Sequence, residues 1–195
     1  MARKARIERK TKETLIKVEL NLDGSGKAAV RTPLNFLNHM LESLAKHSGF
    51  DLKVSARGDV HVDDHHLVED VGITLGHALV TALGDKKGIV RMAYFIAPMD
   101  DSKSTVAVDL SGRPYSVIDI GWSNFKDSRV GDVSKENIEH FLESFSVNGK
   151  FNLHMKTEGR NDHHKAEASF KALARALKEA VRVSGDAVPS TKGVL

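Results

Sequence analysis

Along the chain, apolar residues fall first on alternate positions, at Ile16, Val18, Leu20 and Leu22, before Gly24-Ser25-Gly26. A period of two marks a half-buried strand, and the glycine-rich turn predicts a hairpin. The spacing then changes. Phe36, Leu37, Met40, Leu41, Leu44 and Ala45 recur every three to four residues, which places them on one face of a helix. A short alternating strand is predicted over Phe50–Ser55. A second helix follows, with Val68, Val71, Leu75, Leu79 and Ala82 inward and Gly84 placed to stop it. Beyond residue 100 the pattern predicts strands at Thr105–Leu110, Tyr115–Ile120 and Leu153–Thr157. Helices are predicted near Ser134–Ser146 and Lys165–Val183, the last with Ala166, Phe170, Leu173, Leu177 and Ala180 as its buried stripe.

The two halves repeat. His39-Met40-Leu41-Glu42-Ser43-Leu44 is answered by His140-Phe141-Leu142-Glu143-Ser144-Phe145, and His65-His66-Leu67-Val68-Glu69 by His163-His164-Lys165-Ala166-Glu167. The single His precedes the pair by 26 residues in one half and by 23 in the other. Gly49-Phe50-Asp51-Leu52-Lys53-Val54 aligns between them with Lys150-Phe151-Asn152-Leu153-His154-Met155, and Leu75–Leu79 with Leu173–Leu177. Such ordered self-similarity indicates a duplicated unit. The expected fold is therefore α+β, each half a small, mostly antiparallel sheet packed with two helices. One compact domain is expected, built of repeats at roughly 1–95 and 96–185 with the division near Tyr94–Asp100, and followed by a functional tail over 186–195.

Composition narrows the function. The chain has 195 residues, 41% apolar and 28% charged, as ordinary globular domains do. It has no cysteine, which excludes disulfides, thiol chemistry and Cys-containing zinc sites. The longest apolar run, Met92–Ala97, is far too short for a membrane span. With no apolar stretch after the charged N-terminus, a cytoplasmic protein is expected. A net charge of +3 admits an anionic partner. The basic run Arg3, Lys4, Arg6, Arg9, Lys10 and Lys12 carries no interleaved aromatics, so it reads as a solvated edge and no nucleic-acid partner is expected.

The histidines carry the chemistry. In each His-His-x-x-Glu motif the spacings of three and four set both His and Glu toward one helical face. The adjacent histidines diverge by about 100°, so one pair serves two metals more readily than one. A pseudo-twofold between the halves then gives two equivalent sets: His39, His66, His163 and Glu167 at one site, and His65, Glu69, His140 and His164 at the other. Three imidazoles and a carboxylate suit Mn, Fe, Zn or Co, and octahedral coordination leaves positions open for substrate. One such motif would read as an ordinary polar helix face; its recurrence in register argues for metal. His77 and His154 have no partner in the repeat and are expected to be structural. Arg91, Arg113, Lys171 and the tail Ser190-Thr191-Lys192-Gly193 are cations and hydroxyls able to cradle a phosphate.

The sequence resembles imidazoleglycerol-phosphate dehydratases. The resemblance rests on Phe36–Leu41, Asp64–Ile73, Leu83–Ile89, Pro98–Asp100, Asp109–Tyr115, Asn161–Arg175 and Pro189–Leu195, which together span nearly the whole chain. Asn38 stands where the family usually has Asp and Leu67 where it usually has Thr; neither is a ligand in the family. The resemblance implies two Mn²⁺ ions per active site on the ligand sets above. It also implies substrate contacts at Glu13, His47, Arg91, Arg113, Lys171, Ser190 and Lys192, with His39, His65, Glu69 and His163 also facing the substrate. A homo-24-mer with active sites at subunit interfaces is implied too, so that ligands of one site can come from different chains. The implied reaction dehydrates D-erythro-imidazole glycerol phosphate to imidazole acetol phosphate in histidine biosynthesis, with Glu13 as the candidate proton-transferring carboxylate.

Two other classes compete. A two-metal phosphohydrolase would use similar residues, but carboxylates usually dominate such sites and here six of the eight expected ligands are imidazoles. A non-catalytic metal-dependent assembly would lose oligomer size on chelation yet show no turnover, and an RNA-binding module using the basic N-terminus would lose affinity steeply with salt and survive mutation of the His pairs.

Overall fold

In the computed structural model, residues 3–123 and 128–193 are described. The chain runs through β1 (Lys4–Lys10), β2 (Thr14–Asn21), β3 (Ala28–Arg31), α1 (Asn35–Ser48), β4 (Asp51–Gly58) and α2 (His65–Leu83). It continues through β5 (Met92–Met99), β6 (Ser102–Asp109), β7 (Tyr115–Asp119), β8 (Arg129–Val130), β9 (Val133–Ser134), α3 (Lys135–Asn148), β10 (Asn152–Glu158) and α4 (Asp162–Ala180). Val194 and Leu195 of the expected tail lie outside the described residues. No described helix is long and apolar enough to cross a membrane.

Two four-stranded sheets share one plan. Their strand orders are β1-β2-β4-β3 and β5-β6-β10-β7, each with two antiparallel pairings and one parallel. The helices lie between the sheets: α2 packs on β1 and β2, α4 on β5 and β6, and the halves meet where α2 crosses α3 and α1 crosses α4. Ile16, Val18, Leu67, Val71, Val106, Phe141, Leu153 and Leu173, all essentially inaccessible, fill the core of this α+β layout.

The hairpin expected at Gly24–Gly26 is not formed. After that turn β3 passes β2 and pairs parallel with β4, while β2 takes β1 as its antiparallel hairpin partner. β1 is the strand that composition hid: in KARIERK the alternate exposed positions are all charged, so its basic run is indeed solvated, but along a sheet edge. The chain passes from the first sheet to the second between Leu83 and Met92, so the expected division at Tyr94–Asp100 falls at β5 and its turn. The last helix ends at Ala180, not Val183.

Local chemistry fixes the helix starts that matter for the site. α4 is capped by Asn161, whose side chain accepts from the His163 and His164 backbone N–H groups at 2.9 and 3.4 Å. α1 has no cap of its own. Asp132, from the turn between β8 and β9, instead accepts from the N–H of Asn35 at 2.6 Å and of Phe36 at 2.8 Å. The second half thus closes the helix that carries His39. On α2, Gly72 and Gly76 face α3 so closely that a Cβ on Gly76 would lie 2.6 Å from the Gly149 nitrogen. That approach brings the start of α2 against α3, and with it His65 and Glu69 against His140.

Candidate metal centres and active site

The halves exchange ligands. His39 from α1 meets His163 and Glu167 from α4, with Glu167 Oε1 lying 2.9 Å from His39 Nε2 and 3.1 Å from His163 Nε2. The pseudo-equivalent cluster joins His65 and Glu69 from α2 to His140 from α3, whose Nε2 is 3.1 Å from Glu69 Oε1. The His65 and His140 rings stack at 4.7 Å. In each cluster one donor atom per residue falls within 4.8 Å of the others, a convergence of two imidazoles and a carboxylate that suits a divalent first-row ion. His65 Nδ1 lies 3.0 Å from Asn137 Oδ1, which holds a proton on Nδ1 and leaves Nε2 to the cluster.

His66 and His164 do not join these clusters within one chain. Each ring stands almost perpendicular to that of its neighbour, with centroids 6.0 Å apart for His65–His66 and 6.1 Å for His163–His164. His66 Nδ1 lies 3.0 Å from Asp59 Oδ2 and 3.9 Å from Glu13 Oε2. His164 Nδ1 donates to Asp101 Oδ1 at 2.5 Å. These partners raise both imidazoles above the ordinary histidine range and hold both aspartates below the ordinary carboxylate range.

Glu13 sits at the tip of the β1–β2 hairpin. Thr11 Oγ1 accepts from the Glu13 and Thr14 N–H groups, and Asp70 of α2 holds the strands through Arg9 at 2.6 Å and the Thr14 hydroxyl. The Glu13 side chain is exposed beside His66.

Lys171 faces the same way as Glu167, one helical turn on, with Nζ 2.7 Å from Glu167 Oε2 and 3.0 Å from Met99 Sδ. Burial works to raise the Glu167 carboxyl, but Lys171 and the two histidines outweigh it and hold it at about 2. His47, two turns beyond His39 on α1, is half-buried; that burial, with Lys171 and Arg175 nearby, lowers its pKa.

The remaining cations lie elsewhere. Arg91, with φ of 75°, spends its fork on Asp109 at 2.7 and 3.0 Å and donates from Nη1 to the Pro189 carbonyl at 2.7 Å, which ties down the tail. Ser190 and Lys192 follow in that tail, joined by a 3.2 Å bond from the Lys192 N–H to Ser190 Oγ. Arg113 is exposed in the turn after β6, its carbonyl accepting from Asn152. Arg91 precedes β5 and Lys171 contacts its far end, so about 25 Å of strand separates them at ~3.3 Å per residue. The phosphate cradle expected from sequence is therefore split, with Lys171 beside the His39 cluster and Arg91, Arg113, Ser190 and Lys192 at the other end of the second sheet. His77 and His154 are in neither cluster.

Asp59, Asp101, Asn137 and Asp132 lie outside the His-His-x-x-Glu motifs, and their part in the site shows only in the fold. Asp101 had a usable signal: it precedes β6 as Glu13 precedes β2, a correspondence hidden while β1 and β5 were not recognised as strands.

Comparison with known proteins agrees with this architecture. The family described as imidazoleglycerol-phosphate dehydratase matches residues 32–177. The chain is 59% identical over 187 residues to the imidazoleglycerol-phosphate dehydratase of Methanothermobacter thermautotrophicus, covering 96% of this chain and 95% of that one. It is 51% identical over 197 residues to the histidine biosynthesis bifunctional protein HisB of Spirosoma linguale, covering 100% of this chain and 50% of that one. The crystal structure of the Pyrococcus furiosus dehydratase superposes with a TM-score of 0.83 at 38% identity, covering 97% of this chain and 100% of that one. With its duplicated α+β plan and paired His–Glu clusters, the chain belongs to the imidazoleglycerol-phosphate dehydratase family, the hydro-lyases of histidine biosynthesis.

Proposed function

We propose that this protein carries out the metal-dependent dehydration of D-erythro-imidazole glycerol phosphate to imidazole acetol phosphate and water, at sites shared between copies of the chain. The observation that carries the proposal is the pair of clusters, His39–His163–Glu167 and His65–Glu69–His140, each offering converged imidazole and carboxylate donors. His66 and His164 are the fourth ligands of the first and second sets. Since both turn away from their own chain's clusters, a neighbouring copy would receive them. The split of the phosphate-binding cations supports the same arrangement, because one small substrate cannot bridge Lys171 and Arg91 within one chain. A closed homo-oligomer, the 24-mer that the family resemblance implies, satisfies every copy at once.

Two Mn²⁺ ions held by these sets would supply Lewis-acid polarisation of the substrate's imidazole ring. The protein's own groups then bind and move protons. Arg91, Arg113, Lys171, Ser190 and Lys192 take the phosphate, and their remote binding energy orients the ring. The hydroxyl of the carbon beside the ring departs as water once protonated, a proton leaves the next carbon, and the resulting enol takes a proton on the ring-side carbon to become the ketone. Glu13 is the carboxylate for the proton transfer, exposed on a hairpin tip anchored to α2. His47, held toward its neutral form beside Lys171, borders the same site.

The test is turnover of imidazole glycerol phosphate by chelator-stripped protein before and after Mn²⁺ is added. Formation of imidazole acetol phosphate only after Mn²⁺ supports the proposal. Full turnover without metal removes the metal dependence, and release of inorganic phosphate instead of dehydration would replace this reading with phosphohydrolysis.

A further inference from the structure

Asp101 makes more contacts than a hairpin turn requires. Oδ2 accepts from the backbone N–H groups of Arg160 at 2.7 Å and Asn161 at 2.9 Å, the residues that lead into and cap α4. Oδ1 accepts from His164 Nδ1 at 2.5 Å. One carboxylate therefore joins the β5–β6 tip, the start of α4 and the second histidine of the pair. With Nδ1 committed as donor, the neutral ring has its lone pair on Nε2, the atom that can ligate a metal. Nε2 faces outward, past the exposed Asp100, whose Oδ2 is 3.5 Å away. The first half solves the same problem from a different place: Asp59, following β4, holds His66 Nδ1 at 3.0 Å.

We propose that Asp101 is a positioning residue that fixes the Nδ1–H tautomer and orientation of His164 so that Nε2 is presented to a metal, with Asp59 doing the same for His66. This rests on the metal reading above and adds to it the residues that prepare each fourth ligand before assembly. A purely structural role for Asp101, closing the turn onto α4, would need only the Oδ2 contacts. Asp101→Asn separates the two roles. The amide oxygen still accepts from Arg160 and Asn161, while the amide NH₂ faces His164 Nδ1 and makes it an acceptor. The ring proton then moves to Nε2, which can no longer ligate.

The experiment is equilibrium dialysis of Mn²⁺ against the full-length wild type, Asp101→Asn and Asp101→Glu, read as equivalents bound per chain. Wild type is expected to bind two equivalents; in Asp101→Asn one of them weakens about 10- to 100-fold, and Asp101→Glu, which retains a carboxylate acceptor, recovers most of that loss. Two equivalents of wild-type affinity in Asp101→Asn overturn the inference while leaving the metal reading intact. A wild type that binds no Mn²⁺ overturns the metal reading and this inference with it. Should Asp101→Asn fail to fold, the ¹⁵N spectrum of histidine-labelled, metal-free wild type, recorded at a pH where the His164 ring is neutral, decides the matter: a proton on Nδ1 supports the inference, and a neutral ring protonated on Nε2 overturns it.

Discussion

Replacing Gly76 by alanine tests how the second cluster is built. A Cβ there would lie 2.6 Å from the Gly149 nitrogen, 2.7 Å from the Asn148 carbonyl carbon and 2.8 Å from Asn148 Cβ. Heavy atoms prefer about 3.5–4.0 Å, so α2 and the end of α3 must part by about 1 Å. Two of the three neighbours are backbone and cannot rotate away. Overpacking of this kind costs about 1–3 kcal/mol, and three simultaneous contacts put it near the upper end. Alanine's better helix propensity returns about 1 kcal/mol. The net expectation is a loss of about 2 kcal/mol, the contact term winning over propensity. The same displacement would stretch the 3.1 Å contact between Glu69 and His140 beyond hydrogen-bonding range and weaken metal binding at that cluster, while the His39 cluster on α1 and α4 keeps its affinity. Urea unfolding at fixed protomer concentration, with Mn²⁺ titration of the folded variant, reads both effects. Gly185→Ala, where a Cβ meets nothing within 4 Å, is the control expected within about 0.5 kcal/mol of wild type. A Gly76→Ala protein as stable as wild type, with both metal equivalents intact, would refute the close crossing of α2 and α3 as the device that forms this cluster.

Three further outcomes are expected. Glu13→Gln should lower turnover about 100-fold or more while leaving bound Mn²⁺ unchanged; near-normal turnover removes Glu13 from proton transfer. Asp132→Ala leaves the Asn35 and Phe36 N–H groups without their acceptor and should cost about 1–2 kcal/mol, measured by the urea midpoint; no change would mean that water caps α1 equally well. Asp51 accepts from the Ser25 and Lys27 N–H groups and from Asn21, which hold its pKa down from 3.8 to about 2. Because the folded-state value is the lower one, its contribution to stability is complete above about pH 4 and is lost as pH falls through 2. Asp51→Asn should therefore flatten the stability profile between pH 4 and 2, and an unchanged profile would show that Asp51 is not the group responsible.

The four helices were legible because each carries an apolar stripe of period near 3.6, and they form within a few residues of where those stripes lie. The inner strands β2, β4, β6 and β10 were legible for the matching reason, with alternate residues entering the core. Of the outer strands only β7, predicted over Tyr115–Ile120, was. β1 sets its charged face against one that is only partly buried and includes Arg9, β3 is four residues long, and β5 exposes Met92, Tyr94 and Ile96, so none alternates a buried apolar face with a polar one. Missing β1 made the glycine turn read as a hairpin. At the site, symmetry between the repeats was enough to group His39 with His163 and Glu167, and His140 with His65 and Glu69. It could not show that His66 and His164 turn toward aspartates, since Asp59 and Asp101 reach them from non-equivalent places. Nor does spacing along a sequence give direction in space: Arg91 and Met99 are eight residues apart, and an extended strand carries that interval the length of the sheet.

The most direct test of a site shared between copies is complementation between two inactive variants. Glu167→Gln damages the first cluster, and Arg91→Gln the distant cation group. Co-expressed with different tags and purified as mixed oligomers, the two should recover up to about a quarter of wild-type activity, the share of interfaces at which an intact Glu167 meets an intact Arg91 under random mixing in a closed assembly. Mixed oligomers as inactive as either variant alone would contradict the shared site.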